Sequence, residues 1–590
     1  MSKEKRFLIT TALEVTWVED QPILFLGEWC RLYSRKQRWS KMNALVQAYH
    51  WDDREKLFSD YIYLNSLYER LLLDLSSKLN QIHGVECSLR YWRIMVGPWL
   101  AYFIHILFDR WVSIENAINS YEITGTVMLN NEENLVPNDF NHFNDLFVGD
   151  MWNHLIFGEI LRKLSSVPTV LINNHKGNNN SKSDNPKSSL RHRILRVYSE
   201  IFKYFARDDD AFIINPYLTK FNEILLNLKL GQIPFFWKSV KPVQVSLDWQ
   251  QRNWTIPSQC LSEFEVFLLS MLPKQIPKVY LEGYQQLTEQ IQDLPWPKSP
   301  KLIYSSNVLW TDSVSISYVA EKVEKGAKLV YGQHGGVYGV AKFTFIEEHE
   351  IKVSDRYLSW GWSSDTKLSV IPTGIGKIGK NIVRNYNYNK NLLLITLNSS
   401  RYSYRLCSES AINFCDYFEN YFLFTSLIDN YIGADMIVRL SSWDRGWEQS
   451  LRWSDRFPKV QLDCGVQGIY ELMEKSRIVV QTYNSTGILE TLALGIPTVL
   501  FCDFKITPLR ETAIPYYNEL KRVGIFHDTP ESAAEHVNAI WIDVNAWWTN
   551  IEVQEVLAQF KKQYCYIPDN ILDRIEATLS EVIAESNNKM

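Results

Sequence analysis

The sequence predicts an α/β protein built on parallel sheets, and three observations carry that prediction. From about residue 300 the chain shows short apolar runs, at 301–304, 328–331, 392–396, 436–438, 478–480 and 497–501. Helical stretches such as 317–325 and 469–475 separate them. Each run is continuous rather than alternating, and it closes on small or polar residues, as strands buried on both faces do. Composition agrees. Of 590 residues, 46% are hydrophobic and 22% charged, which is ordinary for globular chains and excludes a disordered chain, a collagen or a coiled-coil rod.

In chain order, residues 6–10 form a first buried strand, followed by the polar stretch Thr10 to Glu14. Residues 50–120 follow helical spacing. The longest apolar stretch, 94–108, holds Pro98 and His105 and is shorter than the ~20 residues of a membrane span, so it reads as a buried helix. Residues 173–189, rich in Asn, Ser and Lys, read as an exposed loop. A Pro/Gly/Asn-rich segment, 371–391, separates two strand series as a linker, and after 545 the chain is helical again at 552–562 and 571–584. The run Phe7 to Thr10 is too short for a signal peptide, and eight cysteines occur without a CxxC pair. Both point to a protein of the reducing cytoplasm. With 62 Lys+Arg against 67 Asp+Glu the net charge is −5, which argues against a nucleic-acid partner.

Four strand-end loops carry the chemistry. In Val479 to Val499 a strand ends near Gln481, a polar turn follows, and a helix begins around Ser485. Asn484 or Ser485 can cap that helix, Thr486 opens it, and Gly487 allows a phosphate close to the positive helix start. Glu490 leans back toward the same end, where it can accept from a ribose. Gln333-His334-Gly335-Gly336 follows a strand inside a stretch with four glycines in eight residues, which exposes His334 where open α/β sheets bind ligands. Arg439 and Ser441 follow a third strand, and Ser400 and Arg401 a fourth, with Arg suited to bidentate phosphate recognition. The bland alternatives are a capped helix, a structural histidine and solvated loops. Gly374 to Gly379 spells GxGxxG without an apolar helix behind it, Asp208 to Asp210 precedes its apolar run, and P-loop, HExxH and GxSxG motifs are missing from the sequence. No metal site or cofactor is expected.

The order of these loops resembles the GT-B glycosyltransferases, in which two Rossmann-like domains face each other across a cleft. NSTGILETLALGIPTV is similar to the donor-binding element of capsule-polysaccharide and Kdo-type transferases, and QHGG to the His-Gly element of CDP-glycerol glycerophosphotransferases. Together with FLITTALEVTW, RYWRIMVGPWL and SDRYLSWGW, they resemble a transferase family of bacterial O-antigen and surface-carbohydrate gene clusters across nearly the whole chain. The longer acidic EX7E spacing of typical hexosyltransferases is missing.

The resemblance implies an N-terminal acceptor-side domain with helical insertions (1–375), a C-terminal nucleotide-sugar domain (388–545), and terminal helices (546–590) returning to the first. It implies metal-independent transfer of a sugar from a nucleotide donor, with CMP among the candidates, to a glycan or lipid-linked glycan. Glu14 would be the first candidate base, with His334 the competing base or else a stabiliser of leaving-group charge, and Gln333, Gly335, Gly336, Ser400, Arg401, Arg439, Ser441, Asn484, Ser485, Thr486, Gly487 and Glu490 would hold the substrates. A nucleotide-sugar epimerase or hydrolase, or a non-catalytic glycan-binding subunit, are the alternatives. The run Arg31, Arg35, Lys36, Arg38 and Lys41 predicts weak, salt-sensitive contact with the inner face of the cytoplasmic membrane.

Overall fold

The computed structural model describes residues 3–130, 135–164, 167–173, 207–235, 237–378, 386–389, 391–408 and 414–587. The loop expected at 173–189 therefore lies almost wholly outside the described residues. Among those described, sixteen strands form three sheets, and every strand pair is parallel. Sheet one holds β1 (Lys5–Ile9), β2 (Ile23–Phe25), β3 (Ala44–Val46), β4 (Glu122–Asn130) and β5 (Thr169–Asn173) in the order β3-β2-β1-β4-β5. Sheet two holds β6 (Phe212–Ile214), β7 (Leu302–Ser305), β8 (Lys328–Gly332), β9 (Arg356–Ser359) and β10 (Val370–Pro372), in simple sequence order.

Sheet three holds β11 (Asn391–Ile395), β12 (Met436–Arg439), β13 (Gln461–Asp463), β14 (Ser476–Gln481), β15 (Thr498–Phe501) and β16 (Phe526–His527) in the order β13-β12-β11-β14-β15-β16. Counted from its own first strand this is 3-2-1-4-5-6, the doubly wound order whose connections reverse direction between β11 and β14. Its strands are buried on both faces, and successive side chains serve different layers. Leu392 and Leu394 pack with Phe418 and Tyr421 on one face. Leu393 and Ile395 pack with Leu472 and Met473 on the other.

Residues 1–375, expected as one Rossmann-like domain with helical insertions, hold two sheets rather than one. Helix Gly97–Ser120, with Pro98 in its first turn and 18 of its 24 residues buried, belongs to the hydrophobic cluster that also holds residues of both sheets. Among the described residues no helix is long and apolar enough to cross a membrane. Sheet two's other face (Ile213, Leu302, Tyr304, Val330, Leu358) is covered by the last helix, Ile571–Asn587, through Ile575, Leu579 and Val582. The segment read as a linker begins inside β10 and holds a bridge from Gly376 to Leu218.

Residues 397–408, which follow β11, run back from sheet three and tie it to the other two sheets. Arg401 Nη1 donates to the Trp29 carbonyl at 2.6 Å, and its Nη2 pairs with Asp150 at 2.6 Å. Arg110 donates to the Ser403 carbonyl at 2.9 Å, and Ser408 N donates to Phe343 O at 3.0 Å.

Candidate active site

A cavity of about 1130 Å³ opens where the carboxyl ends of all three sheets converge. Sheet one supplies the segment after β3 and Trp29, sheet two supplies His334 to Tyr338 after β8, and sheet three supplies 397–405 after β11 and 483–486 after β14. The last two segments flank the point where strand order reverses, the place where doubly wound sheets take ligands.

Two loops that read as separate motifs form one structure here. Gly336 N donates to Thr486 Oγ1 at 3.0 Å. A Cβ on Gly336 would lie 2.3 Å from the Ser485 carbonyl carbon and 2.4 Å from Thr486 N. Real Cβ atoms do not approach backbone that closely, so only glycine lets the His-Gly-Gly loop seat on the start of helix Thr486–Ala493. Ser485, the cap residue, makes no side-chain cap bond to that helix. Asn484 does not cap it either, since its Oδ1 accepts from Tyr517 at 2.7 Å.

His334 stands in this loop with its side chain 21% exposed. Burial first, then the charge of Arg405, lower its pKa to about 4 against a hydrogen bond with the Ser306 backbone. The imidazole is therefore neutral at pH 7 and able to take a proton. Its Nε2 lies 3.3 Å from the Tyr338 hydroxyl, and its Nδ1 lies 3.7 Å from Glu350 Oε1. Glu350 is fully buried and accepts from Trp310 Nε1 at 2.8 Å and Tyr357 at 3.4 Å. Burial pushes its carboxyl well above the usual range. Glu350 thus backs the neutral imidazole, and Tyr338 touches both.

Of the residues expected at the site, His334, Gly335, Gly336, Ser400, Arg401, Asn484, Ser485 and Thr486 line the cavity. Arg401 does so while committed to Asp150 and Trp29. Gln333, Gly487, Arg439, Ser441, Glu490 and Glu14 do not line it, and for most of them a neighbour explains why. Gln333 Nε2 donates to Gly335 O at 2.8 Å, and its Oε1 accepts from Trp360 N and Trp362 Nε1, so it shapes the loop. Gly487 packs on the Gln481 side chain. Arg439 pairs with Asp463 and donates to Gln467 O at 2.8 Å. Ser441 Oγ accepts from Trp443 N at 3.3 Å. Glu490 Oε1 accepts from Tyr217 and Tyr470, each at 2.7 Å, and so joins sheets two and three.

Glu14 pairs with Arg35 at 3.4 Å and Arg38 at 3.3 Å. Its loop does follow the first strand, but sheet one's own crevice is filled, so the carboxylate has turned toward the basic run. That run is largely neutralised, because Arg31 also pairs with Glu28 and Arg38 with Glu19.

Sequence reasoning missed the aromatic wall (Trp29, Tyr49, Tyr102, Trp310, Tyr404) and Arg405. None of these sits in a glycine-framed motif, and only the tertiary path of residues 397–408 brings Tyr404 and Arg405 to the cavity. Among the described residues no group of His, Cys, Asp and Glu could hold a metal ion.

The model of the LIC12162 family of transferases matches residues 6–579. No curated protein matches the chain at a significant level. Solved structures similar to it include the spinosyn rhamnosyltransferase SpnG complexed with spinosyn aglycone, at 9% identity over 78% of this chain and 99% of that one, with a TM-score of 0.28. MurG of Acinetobacter baumannii aligns at 9% identity over 63% of this chain and 91% of its own, TM-score 0.28. WaaG, a glycosyltransferase involved in lipopolysaccharide biosynthesis, aligns at 11% identity over 63% and 99%, TM-score 0.28.

Proposed function

The chain belongs to the LIC12162 family of transferases, and from that premise we propose that it transfers a sugar from a nucleotide-activated donor to a hydroxyl of a glycan or lipid-linked glycan in surface-polysaccharide synthesis. One observation carries this reading. A neutral histidine in a glycine-framed loop is seated against a helix start at the switch point of a doubly wound sheet. Such a crevice takes a nucleotide, with phosphate at the helix start. The aromatic wall offers flat apolar faces to sugar rings. In the reaction His334 accepts the proton of the acceptor hydroxyl as that oxygen bonds to the anomeric carbon. The bond from that carbon to the donor phosphate breaks, and its electron pair leaves on the phosphate oxygen.

The test is to incubate the purified protein with CMP-, CDP-, GDP-, UDP- and dTDP-sugars, with and without cell-derived glycan acceptors, and to measure nucleotide release. Acceptor-dependent release that His334→Ala removes is the expected result. Free sugar or an epimer formed without acceptor would replace transfer by hydrolysis or epimerisation. Glycan binding with every donor left intact would make the protein a binding subunit.

A further inference from the structure

We propose that Arg405 is the residue that receives a substrate phosphate in the cavity, a role no motif of the chain assigns. The proposal rests on the transfer reading only for the identity of the compound that carries the phosphate.

The arginines that meet the 397–408 segment divide sharply. Arg401 is held by Asp150 and the Trp29 carbonyl. Arg110 pairs with Asp109 and donates to the Ser403 carbonyl. Arg54 donates to the Trp51 and Ser408 carbonyls. Arg405 differs from all three. It lines the cavity, its guanidinium carbon lies 5.5 Å from the centre of the Tyr404 ring, and among the described residues it has neither an ion-pair nor a hydrogen-bond partner.

The groups that act on its charge are the Tyr404 phenol, the Cys407 thiol and the phenols of Tyr102 and Tyr338, and its own charge acts on His334. Arg405 is exposed, so its hydrated guanidinium stands in the cavity wall without a protein counter-charge among the described residues, open to pairing with an anionic ligand. The planar fork fits phosphate oxygens. A second unmet group stands on the same segment. Ser400 lines the cavity, and its hydroxyl, closed off from solvent, has no hydrogen-bond partner among the described residues. A phosphate at Arg405 would also sit within electrostatic reach of His334.

Arg445 is the competing assignment. It lines the same cavity without an ion pair, but it lies over Trp443 on the turn after β12, and its charge is not among those acting on His334.

The experiment measures binding of inorganic pyrophosphate to the full chain by calorimetry, in wild type, Arg405→Gln, Arg405→Lys and Arg445→Gln, with the melting temperature of each ligand-free protein. Arg405→Gln is expected to raise Kd about tenfold to 100-fold, as loss of a charge-assisted contact does. Arg405→Lys should fall between the two, and Arg445→Gln should stay near wild type. The ligand-free melting temperature of Arg405→Gln should stay near that of wild type, because only the exposed contact with the Tyr404 ring is lost. Competition by CDP assigns the phosphate to the donor, whereas competition by a short-chain prenyl phosphate assigns it to the acceptor. Either result supports the site.

Absence of pyrophosphate binding by wild type, an unchanged Kd in Arg405→Gln, or a clear fall in its ligand-free melting temperature would overturn the proposal. If no activated sugar is turned over while pyrophosphate binding still depends on Arg405, the transfer reading fails and the phosphate site stands.

Discussion

Sheets one and three share the doubly wound order over their common strands, yet their crevices have opposite fates. In sheet three the ends of β11 and β14 open onto the cavity. In sheet one the corresponding point, between β1 and β4, is filled. The Asp150 carboxylate accepts from Ala12 N at 3.2 Å, Tyr402 at 2.6 Å and Arg401 at 2.6 Å. Trp29 Nε1 closes over the Thr10 carbonyl at 3.0 Å. Sheet three's own loop, 397–408, therefore plugs sheet one's crevice and walls the open one. Strand order shows where a ligand can bind, and the pairing of the polar groups at that point shows whether it does.

His334→Ala tests the open crevice and carries the largest expected effect. A positioned base contributes about 100-fold to 10,000-fold, so turnover should fall by that factor while the melting temperature barely moves. A variant that melts many degrees lower yet keeps its activity per folded molecule would make the two crevices alike.

Asp150→Ala tests the filled one. Arg401 is only 7% exposed at its side chain, and it would be left buried without its counter-charge. That typically costs about 3–5 kcal/mol, read as a clear drop in melting temperature. An unchanged melting temperature would mean that the plug holds nothing.

The fold was legible where physics is local. Parallel strands buried on both faces read as apolar runs, such as Leu392 to Ile395, and Gly495-Ile496-Pro497 marks the helix-to-strand turn. The division of the first 375 residues into two sheets was not legible, because β2, β3 and β6 are each three residues long and look like loop. The His334 and Ser485 loops could be read as site because glycine and strand-end position show in the sequence. Occupancy could not be read. Arg439 is taken by Asp463, and Glu490 by Tyr217, 273 residues away. Arg405 is the reverse case, a residue whose lack of an ion-pair or hydrogen-bond partner among the described residues appears only in three dimensions.

Gly336→Ala asks whether the two halves of the open site must touch. The added methyl would overlap the Ser485 backbone, and overpacking of this kind costs about 1–3 kcal/mol. A modest fall in melting temperature with a disproportionate fall in turnover is expected, since the loop must withdraw from the helix. Wild-type kinetics would show that the loop and helix act independently.

Acidification reaches both crevices. His154 accepts from Leu129 N at 3.1 Å in the filled one, and burial lowers its pKa to about 4, as it does for His334. The unfolded histidines titrate near 6.5, so between about 6.5 and 4 the unfolded state binds more protons than the folded one. Stability is then undiminished above about 6.5 and falls as the pH drops toward 4, with a slope of up to about 1.4 kcal/mol per pH unit for each histidine. Urea midpoints at pH 7.5 and 5.0 measure the loss. His154→Gln should flatten the dependence by up to one proton, and an unaltered slope would remove His154 from the account.

The smallest effect belongs to Glu14→Gln, at the residue that the resemblance placed first among bases. Its carboxylate meets Arg35 and Arg38, whose side chains are 57% and 36% exposed. Exposed pairs of this sort are worth about 0–1 kcal/mol, and Glu14 does not line the cavity. The variant should therefore keep turnover within about twofold and melt within a degree or two of wild type, by less at high salt because the pairs are screened. Loss of turnover with unchanged donor affinity would mean that Glu14 leaves its arginines to reach the reacting atoms. Sheet one's crevice would then be a participant in the chemistry rather than a buttress for it.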